Sequence, residues 1–189
     1  FISKIKKEIP ELPDEKKKRF VDKFKLTPYE ANILVSDIET SKYFENVVKN
    51  SDIKLTTNWI TGELFALLND RNLEISESPI SSQNLSTLIN LIKDGTISGK
   101  IAKTVFEIMA NENKDPKSII DEKGLKQQTD PKKIEKIVED VIKDNPKNVE
   151  LFKSGKDKLF GFFVGQVMKK TDGKANPTLV NDILKKKLN

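Results

Sequence analysis

Residues 130–146 read DPKKIEKIVEDVIKDNP and contain, in one stretch, the pattern that decides the fold. A capping residue followed by proline opens the stretch and also closes it, which is typical of helix N-termini. Between these two pairs, apolar residues recur three and four positions apart, at Ile134, Ile137, Val138, Val141 and Ile142. That spacing places them on one face of an α-helix, whereas a half-buried strand would alternate apolar and polar residues. The stretch therefore predicts one amphipathic helix and the immediate start of the next.

The same pairing of a capping residue with a proline recurs along the chain. It involves five of the eight prolines, at Thr27-Pro28, Asp115-Pro116, Asp130-Pro131, Asn145-Pro146 and Asn176-Pro177. Only Leu73 to Ile80 alternates briefly, and its serines and Pro79 favour a loop. The sequence therefore predicts an all-α fold, with short helices near 14–24, 28–36, 39–49, 53–69, 81–93, 98–112, 116–122, 131–143, 146–153, 156–171 and 177–188.

The composition excludes several kinds of chemistry, because the 189 residues include no cysteine and no histidine. Disulfides, zinc sites built from Cys or from Cys and His, thiol nucleophiles and Ser-His-Asp triads are ruled out. Any general acid or base would be Asp, Glu, Lys or Tyr, and neither a carboxylate pair nor a metal-ligand cluster stands out. The sequence therefore predicts no catalytic site and no metal site.

The apolar stretches are far shorter than the roughly 20 residues that span a bilayer, so we expect no membrane partner. Phe1 to Pro10 lacks the apolar core of a signal peptide. Because the chain opens with Phe1, we interpret it as a piece of a longer cytoplasmic protein.

The chain carries 34 basic and 29 acidic residues, and this net charge of +5 is unevenly distributed. Residues 1–114 contain 17 basic and 17 acidic side chains, whereas residues 115–189 contain 17 basic and 12 acidic ones. The polar stretch 111–116 lies where the balance changes, which predicts a helical domain over 1–113 and a smaller helical tail domain over 114–189. A basic tail indicates a polyanion partner, and a solvated lysine-rich surface explains it equally well.

Residues 155–170, GKDKLFGFFVGQVMKK, form the most unusual predicted helix. Gly161 and Gly165 share one helical face, and each costs roughly 1 kcal/mol relative to alanine. We expect another helix to approach that face closely and offset the cost, with the adjacent core filled by Phe160, Phe163, Val164 and Val167. Lys169 and Lys170 either complement the negative pole of the helix dipole or face phosphate.

The loop from Thr171 to Pro177 joins this lysine-bearing helix end to a new helix N-terminus. Gly173 is expected to stop one helix, and Asn176-Pro177 to start the next. Ammonium groups and free N–H groups together make this loop a candidate phosphate contact. Gly173-Lys174 lacks the earlier glycine and the following Ser or Thr of a Walker loop, so nucleotide hydrolysis is rejected.

Residues 94–103, DGTISGKIAK, predict a tight corner between two helices. The less favoured alternative is a small-residue surface on which Lys100 and Lys103 contact a nucleic-acid backbone. The single tryptophan, Trp59, is interpreted as a core residue in preference to a base-stacking platform.

Together these segments resemble the C-terminal part of the B subunit of the bacterial and organellar aspartyl/glutamyl-tRNA(Asn/Gln) amidotransferase. The resemblance covers the chain in order. It is carried by Leu12-Pro13, Lys16, Arg19-Phe20, Leu26-Thr27, Tyr29-Glu30-Ala31, Tyr43-Phe44-Glu45, Asn58-Trp59-Ile60, Asp94 to Lys103, Glu122 to Gln127, Asn145-Pro146-Lys147, Val164 to Lys169 and Gly173 to Pro177. It implies a helical domain followed by a small tail domain that is shared with YqeY-like proteins.

The resemblance also implies a biochemical setting. The parent is a glutamine-dependent carbon–nitrogen ligase that converts misacylated Asp-tRNA(Asn) or Glu-tRNA(Gln) to the amidated form for translation. ATP and Mg belong to a cradle domain outside these 189 residues, and the A subunit releases the ammonia. The resemblance therefore implies no catalytic residue and no cofactor in this chain, and it implies tRNA and the A and C subunits as partners.

In the family the tail recognises the outer, elbow side of the tRNA. Carried over by position, the expected tRNA-binding residues are Lys169, Lys170, Lys174, Lys156 and Lys158. The alternative is a helical protein-interaction module that docks other subunits without direct RNA contact. A stand-alone enzyme would need a carboxylate or lysine in a cleft, and the sequence offers no candidate.

Overall fold

A computed structural model describes residues 11–188 of the chain. The predicted all-α fold is confirmed, since the described residues form helices and contain no β-strand, apart from one isolated bridge between Gln128 and Ala175. The interpretation of Phe1 to Pro10 lies outside the described residues. Contacts divide the chain into two compact units, residues 1–90 and residues 91–189.

The described part of the first unit is a set of short helices. They are α1 (Pro13–Phe24), α2 (Pro28–Leu34), α3 (Ile38–Val48), α4 (Ile53–Trp59), a π-helical turn (Ile60–Leu64), α5 (Phe65–Arg71), a 3₁₀ turn (Ile75–Glu77) and α6 (Ser82–Lys93), which runs across the division. The rings of Phe20, Phe24 and Phe44 meet in the core with centroids 5.2 to 5.3 Å apart. Trp59 is 7% exposed, so its predicted place in the core is confirmed.

The second unit continues with six further helices among the described residues. They are α7 (Gly99–Glu112), α8 (Pro116–Lys123), α9 (Pro131–Asp144), α10 (Pro146–Lys153), α11 (Leu159–Lys170) and α12 (Pro177–Leu188). Helices α9, α11 and α12 share one apolar core, which is built from Ile134, Val138, Val141, Phe163, Val167, Ala175, Val180, Leu184 and Leu188. This core holds α11 and the loop after it in place.

All five prolines of the predicted helix starts occupy first helical positions, so that prediction is confirmed. In four of the pairs the capping side chain accepts a backbone N–H, as Asp115 Oδ1 does from Ser118 at 3.0 Å. Asn145 differs, because its Nδ2 donates to the Val141 carbonyl at 2.8 Å and the side chain makes no cap for α10. This asparagine therefore closes α9 as well as preceding α10.

The predicted domain boundary between residues 113 and 114 falls inside the second compact unit. Helices α7 and α8 lie on either side of that boundary and pack together, with Met109 and Ile120 both buried. The predicted boundary follows the change in charge along the sequence, whereas the compact units follow spatial contacts between residues. The division into domains at 113 and 114 therefore stays a prediction.

Candidate nucleic-acid interface

A short backbone strap at Gln127 and Gln128 ties together two loops of the second unit. The Gln127 N–H donates to the Thr96 carbonyl at 2.7 Å, and the Gln128 N–H donates to the Lys174 carbonyl at 2.6 Å. In return, the Asn176 N–H donates to the Gln128 carbonyl at 3.0 Å. The strap therefore holds the loop before α7 close to the loop after α11.

The end of α11 is closed by hydrogen bonds characteristic of a Schellman motif. The Gly173 N–H donates to the Met168 carbonyl at 2.8 Å, and the Asp172 N–H donates to the Lys169 carbonyl at 3.2 Å. Both Asp172 (φ 52°) and Gly173 (φ 75°) are left-handed. The predicted stop at Gly173 is thus displaced by one residue, because Asp172 takes the first left-handed position after the helix.

The loop is further stiffened by Thr171. Its Oγ1 donates to the Val167 carbonyl at 3.0 Å and accepts the Ala175 N–H at 3.3 Å. Ala175 is buried in the core of the second unit. Lys174 is consequently presented from a backbone that is held on both sides, and its own side chain is half-buried.

An open hollow of about 550 Å³ lies where the strap brings α7 and α11 together. It is lined by Lys100 from α7 and by Gly165, Met168, Lys169, Asp172 and Gly173 from α11 and its loop. The Cδ of Lys100 lies 3.9 Å from the position that a Cβ on Gly173 would take. The residues that line the hollow therefore include two lysines and one aspartate.

The five predicted lysines are divided by the structure into two groups. Lys169, Lys170 and Lys174 lie together at the C-terminal end of α11 and in its loop, whereas Lys156 and Lys158 are exposed just before its first residue. At 1.5 Å per residue, α11 separates the two groups by about 16 Å. A single phosphate group cannot contact both.

The lysines at the end of α11 differ in their acidic neighbours. Lys170 Nζ lies 2.7 Å from Asp144 Oδ2 and is partly neutralised. Within residues 11–188, Lys100, Lys169 and Lys174 take part in no ion pair. Three ammonium groups near the hollow are therefore available to an anion.

The prediction that a helix packs closely against Gly161 and Gly165 is wrong. Both glycines are exposed, and a Cβ added at either would meet nothing within 4 Å. The reason is that α11 packs through Phe163 and Val167, which are both fully buried, and so turns the glycines outward. The predicted core residues are confirmed, with Phe160 and Val164 packed against the same cluster.

The predicted corner at residues 94–103 is present. Asp94 Oδ1 accepts the Thr96 N–H at 2.9 Å, and the Ser98 hydroxyl accepts the Ile101 N–H at 3.2 Å and so caps α7. Lys100, just after this corner, lines the hollow. The favoured interpretation of the segment as a helix corner gives Lys100 no binding role. Sequence reasoning gives Lys100 a binding role only in its less favoured alternative, because backbone hydrogen bonds of the strap, and no local spacing, bring the loop after α11 to it.

The charged side chains that line the hollow are those of Lys100, Lys169 and Asp172. In the described part of the chain, His, Cys, Asp and Glu side chains form no group of three that could hold a metal ion. Among residues 11–188, no helix has the length and apolar character needed to cross a membrane. The arrangement of lysines around a rigid loop is suited to holding an anionic backbone.

Comparisons with known proteins point to one family. The family model of the GatB domain matches residues 42–188. The B subunit of the aspartyl/glutamyl-tRNA(Asn/Gln) amidotransferase of Pelagibacter ubique is 64% identical over 192 residues, covering 100% of this chain and 39% of that protein. The proteins of the same name from Rickettsia rickettsii (strain Sheila Smith) and Rickettsia bellii are each 51% identical over 188 residues, with the same coverage.

The chain thus spans about two fifths of the length of these relatives. The family model covers most of the chain, and the relatives match it from end to end. The chain therefore belongs to the GatB domain family and is similar to the C-terminal region of the amidotransferase B subunits.

Proposed function

We propose that this chain is the tRNA-recognising region of a tRNA-dependent amidotransferase B subunit. The observation that carries the proposal is the group formed by Lys169, Lys170 and Lys174 around a rigid loop, of which only Lys170 has an acidic partner in the described residues. The relatives are named for a tRNA-dependent reaction, which supplies the class of polyanion. The lysines position the tRNA, and the chain itself performs no chemistry.

The parent protein in this proposal converts Asp-tRNA(Asn) or Glu-tRNA(Gln) to the amidated form in the cytoplasm. It works as a glutamine-dependent ligase together with the A and C subunits. ATP and Mg act in a cradle domain that lies outside these 189 residues, and ammonia comes from the A subunit. This chain contributes affinity and orientation, so that the acceptor end of the tRNA is directed to a distant active site.

The contacts we propose are made to the sugar-phosphate backbone. The major groove of an A-form helix is too deep and narrow for side chains to read, so phosphate and 2′-OH groups are the accessible targets. Lysine is a compact point charge that suits a phosphate without demanding a fixed geometry. Binding by this chain should accordingly be weak and should fall as salt is added.

Lys156 and Lys158 belong to the proposal as a second contact. They lie about 16 Å from the first group along α11, so they would meet a different part of the same tRNA. Removing them should lower affinity independently of the first group, since distant sites contribute additively.

The test is a titration of tRNA(Asn) and tRNA(Gln) transcripts with the 189-residue chain at several salt concentrations. The variant Lys169→Ala/Lys170→Ala/Lys174→Ala should bind more weakly, with a salt slope smaller by up to about three units. A matched control removes three exposed lysines that do not line the hollow, Lys123→Ala/Lys132→Ala/Lys136→Ala. Equal binding by the two triple variants would refute the proposal.

The alternative function, a module that docks other subunits, is favoured by exposed apolar side chains on the first unit. Leu12, Tyr29 and Ile38 are 59%, 75% and 62% exposed. If the triple lysine variant bound tRNA as the original chain does, while Tyr29→Ser/Ile38→Ser weakened capture of the A subunit, the docking function would replace the RNA-binding one.

A further inference from the structure

The hollow between α7 and α11 contains two groups, on Lys100 and Asp172, to which the family resemblance gives no role. We propose that it is a ribose-phosphate subsite, in which Lys100 and Lys169 hold one phosphate of an RNA backbone and Asp172 accepts a hydrogen bond from the adjacent 2′-OH. This inference rests on the proposed tRNA-binding function. It extends the RNA surface to Lys100, a residue on the far side of the predicted domain boundary at 113 and 114.

Lys100 is placed to serve the hollow by its aliphatic stem. Its Cδ lies 3.9 Å from where a Cβ on Gly173 would be, so the stem passes over a residue that has no side chain. Gly173 is itself buried, and its left-handed φ of 75° favours glycine. The stem is therefore supported at the hollow, which Lys100 lines together with Lys169.

Two ammonium groups from different helices, with no ion pair to either among residues 11–188, create a local excess of positive charge. An anion placed between the two lysines would be attracted by both. The open shape of the hollow admits a nucleic-acid backbone, and its volume of about 550 Å³ exceeds the need of a free inorganic anion.

Asp172 is an unexpected residue for this position. A carboxylate beside the C-terminal end of α11 faces the negative pole of the helix dipole, which is unfavourable. Its left-handed φ of 52° suits aspartate better than most residues, but the uncharged asparagine would suit it as well. Asp172 also has no hydrogen-bonded or ionic side-chain partner in the described residues. The left-handed backbone thus accounts for a short polar side chain, whereas no contact in the described residues accounts for its negative charge.

A bare carboxylate repels phosphate but accepts a hydrogen bond from a hydroxyl. A carboxylate next to two lysines fits a ligand in which phosphates and hydroxyl groups alternate. The backbone of RNA has this repeat. The 2′-OH is also what allows a protein to distinguish RNA from DNA. The hollow should therefore prefer RNA, and the surrounding lysines alone should not.

The first experiment separates Lys100 from lysines elsewhere on the same unit. Lys100→Ala and the control Lys123→Ala each remove one exposed charge, and both chains are compared in titrations of a tRNA(Gln) transcript. Lys100→Ala should weaken binding roughly three- to ten-fold and lower the salt slope by about one unit. If Lys100→Ala binds like Lys123→Ala, the subsite is refuted.

The second experiment addresses Asp172 and uses two variants with a tRNA(Gln) transcript and its all-deoxy counterpart of the same sequence. Asp172→Gly suits the backbone and removes the acceptor, so the preference for RNA over DNA should fall. Asp172→Asn removes the charge but keeps an acceptor oxygen, so the preference should be retained. An unchanged preference in Asp172→Gly, or an equal loss in both variants, would overturn the assignment.

These outcomes are distinct from those that test the proposed function. If the triple variant at positions 169, 170 and 174 loses tRNA binding while the variants at Lys100 and Asp172 behave like the original chain, only the subsite fails. If the triple variant binds normally, the proposed function and the subsite both fail. Far-ultraviolet circular dichroism of each variant verifies that the helices remain formed.

Discussion

Lys170 Nζ lies 2.7 Å from Asp144 Oδ2, in an ion pair between the end of α11 and the end of α9. Its neighbour Lys169 lines the hollow instead and has no acidic partner among the described residues. Two consecutive lysines therefore have different electrostatic surroundings. An exposed pair of this kind contributes only about 0 to 1 kcal/mol to stability, so its main effect is on the charge available to a ligand.

We expect Asp144→Asn to strengthen tRNA binding, because it releases the Lys170 ammonium from its carboxylate. Lys170→Ala should weaken binding less than Lys169→Ala, since Lys170 is already partly neutralised. Titrations at constant salt measure both effects. Asp140→Asn removes the same charge from the same helix at an exposed position and serves as the control. A gain in affinity of equal size in both aspartate variants would show that the ion pair is not the cause.

The exposed glycines of α11 predict that two substitutions will have the same effect on stability but different effects on tRNA affinity. Gly161→Ala and Gly165→Ala should each stabilise the chain by up to about 1 kcal/mol, because alanine is the better helix former and its methyl group meets nothing within 4 Å. For a chain of this length, that corresponds to about 2–4 °C in melting temperature.

Only Gly165 lines the hollow, so only Gly165→Ala should weaken tRNA binding, while Gly161→Ala should leave it unchanged. Thermal unfolding and tRNA titration of the two variants provide the comparison. A stabilised Gly165→Ala chain with unaltered affinity would show that RNA does not closely approach this part of α11.

A charged contact between α9 and α12 predicts a dependence of stability on pH. Lys187 Nζ lies 2.8 Å from Glu135 Oε1 and 2.7 Å from Glu139 Oε1. The hydrogen bond from Lys187 lowers the pKa of Glu135 below its ordinary value, and the two carboxylates raise the pKa of Lys187. A lowered carboxyl pKa stabilises the fold above the unfolded pKa of about 4.3, and this contribution disappears as the pH falls through the folded value.

We therefore expect Lys187→Gln to lower the melting temperature slightly at pH 7, and this difference to shrink as the pH falls through the lowered pKa of Glu135. Lys185→Gln alters an exposed lysine on the same helix and is the control. A difference between Lys187→Gln and the original chain that persisted unchanged at pH 3 would contradict the ionic origin of the effect.

The core of the second unit makes a prediction of larger size. Phe163 is fully buried, and its ring centroid lies 5.5 Å from that of Phe162 and 6.5 Å from that of Phe152. Phe163→Ala should lower the free energy of unfolding by about 3–5 kcal/mol, because it removes a ring and leaves a cavity. Phe162→Ala, at a half-buried position, should cost clearly less in urea titrations. Equal losses would mean that the cavity does not decide the effect.

The helices could be predicted from the sequence because their starts are marked locally. A cap and a proline determine the first turn by their own hydrogen bonding and dihedral angles, as at Asp130-Pro131. Where a helix start has no capping residue followed by proline, the predicted helix boundary is less accurate. Helix α11 begins at Leu159 and not near 156, after a turn at Gly155 with a φ of 100°. The π-helical turn at Ile60–Leu64 lies inside a helix predicted as continuous, because no residue pattern distinguishes it.

The candidate site could be predicted only in the part that is contiguous in sequence. Lys169 and Lys174 lie five positions apart in sequence, at the end of α11 and in the loop after it, and this segment has a recognisable helix stop and start. Lys100 lies next to Gly173 because backbone bonds of Gln127 and Gln128 bring two distant loops together. Such bonds involve atoms that nearly every residue has, so side-chain patterns do not reveal them.

The strap also has a consequence for the order of events during synthesis. Its hydrogen bonds join Thr96 to Gln127, and Gln128 to Lys174 and Asn176. Helix α7 is synthesised early, but the neighbourhood of Lys100 is completed only after the chain has been translated through Asn176. A nascent chain that ends earlier has the same lysine without its neighbours, so the proposed RNA contact at this hollow requires translation through Asn176.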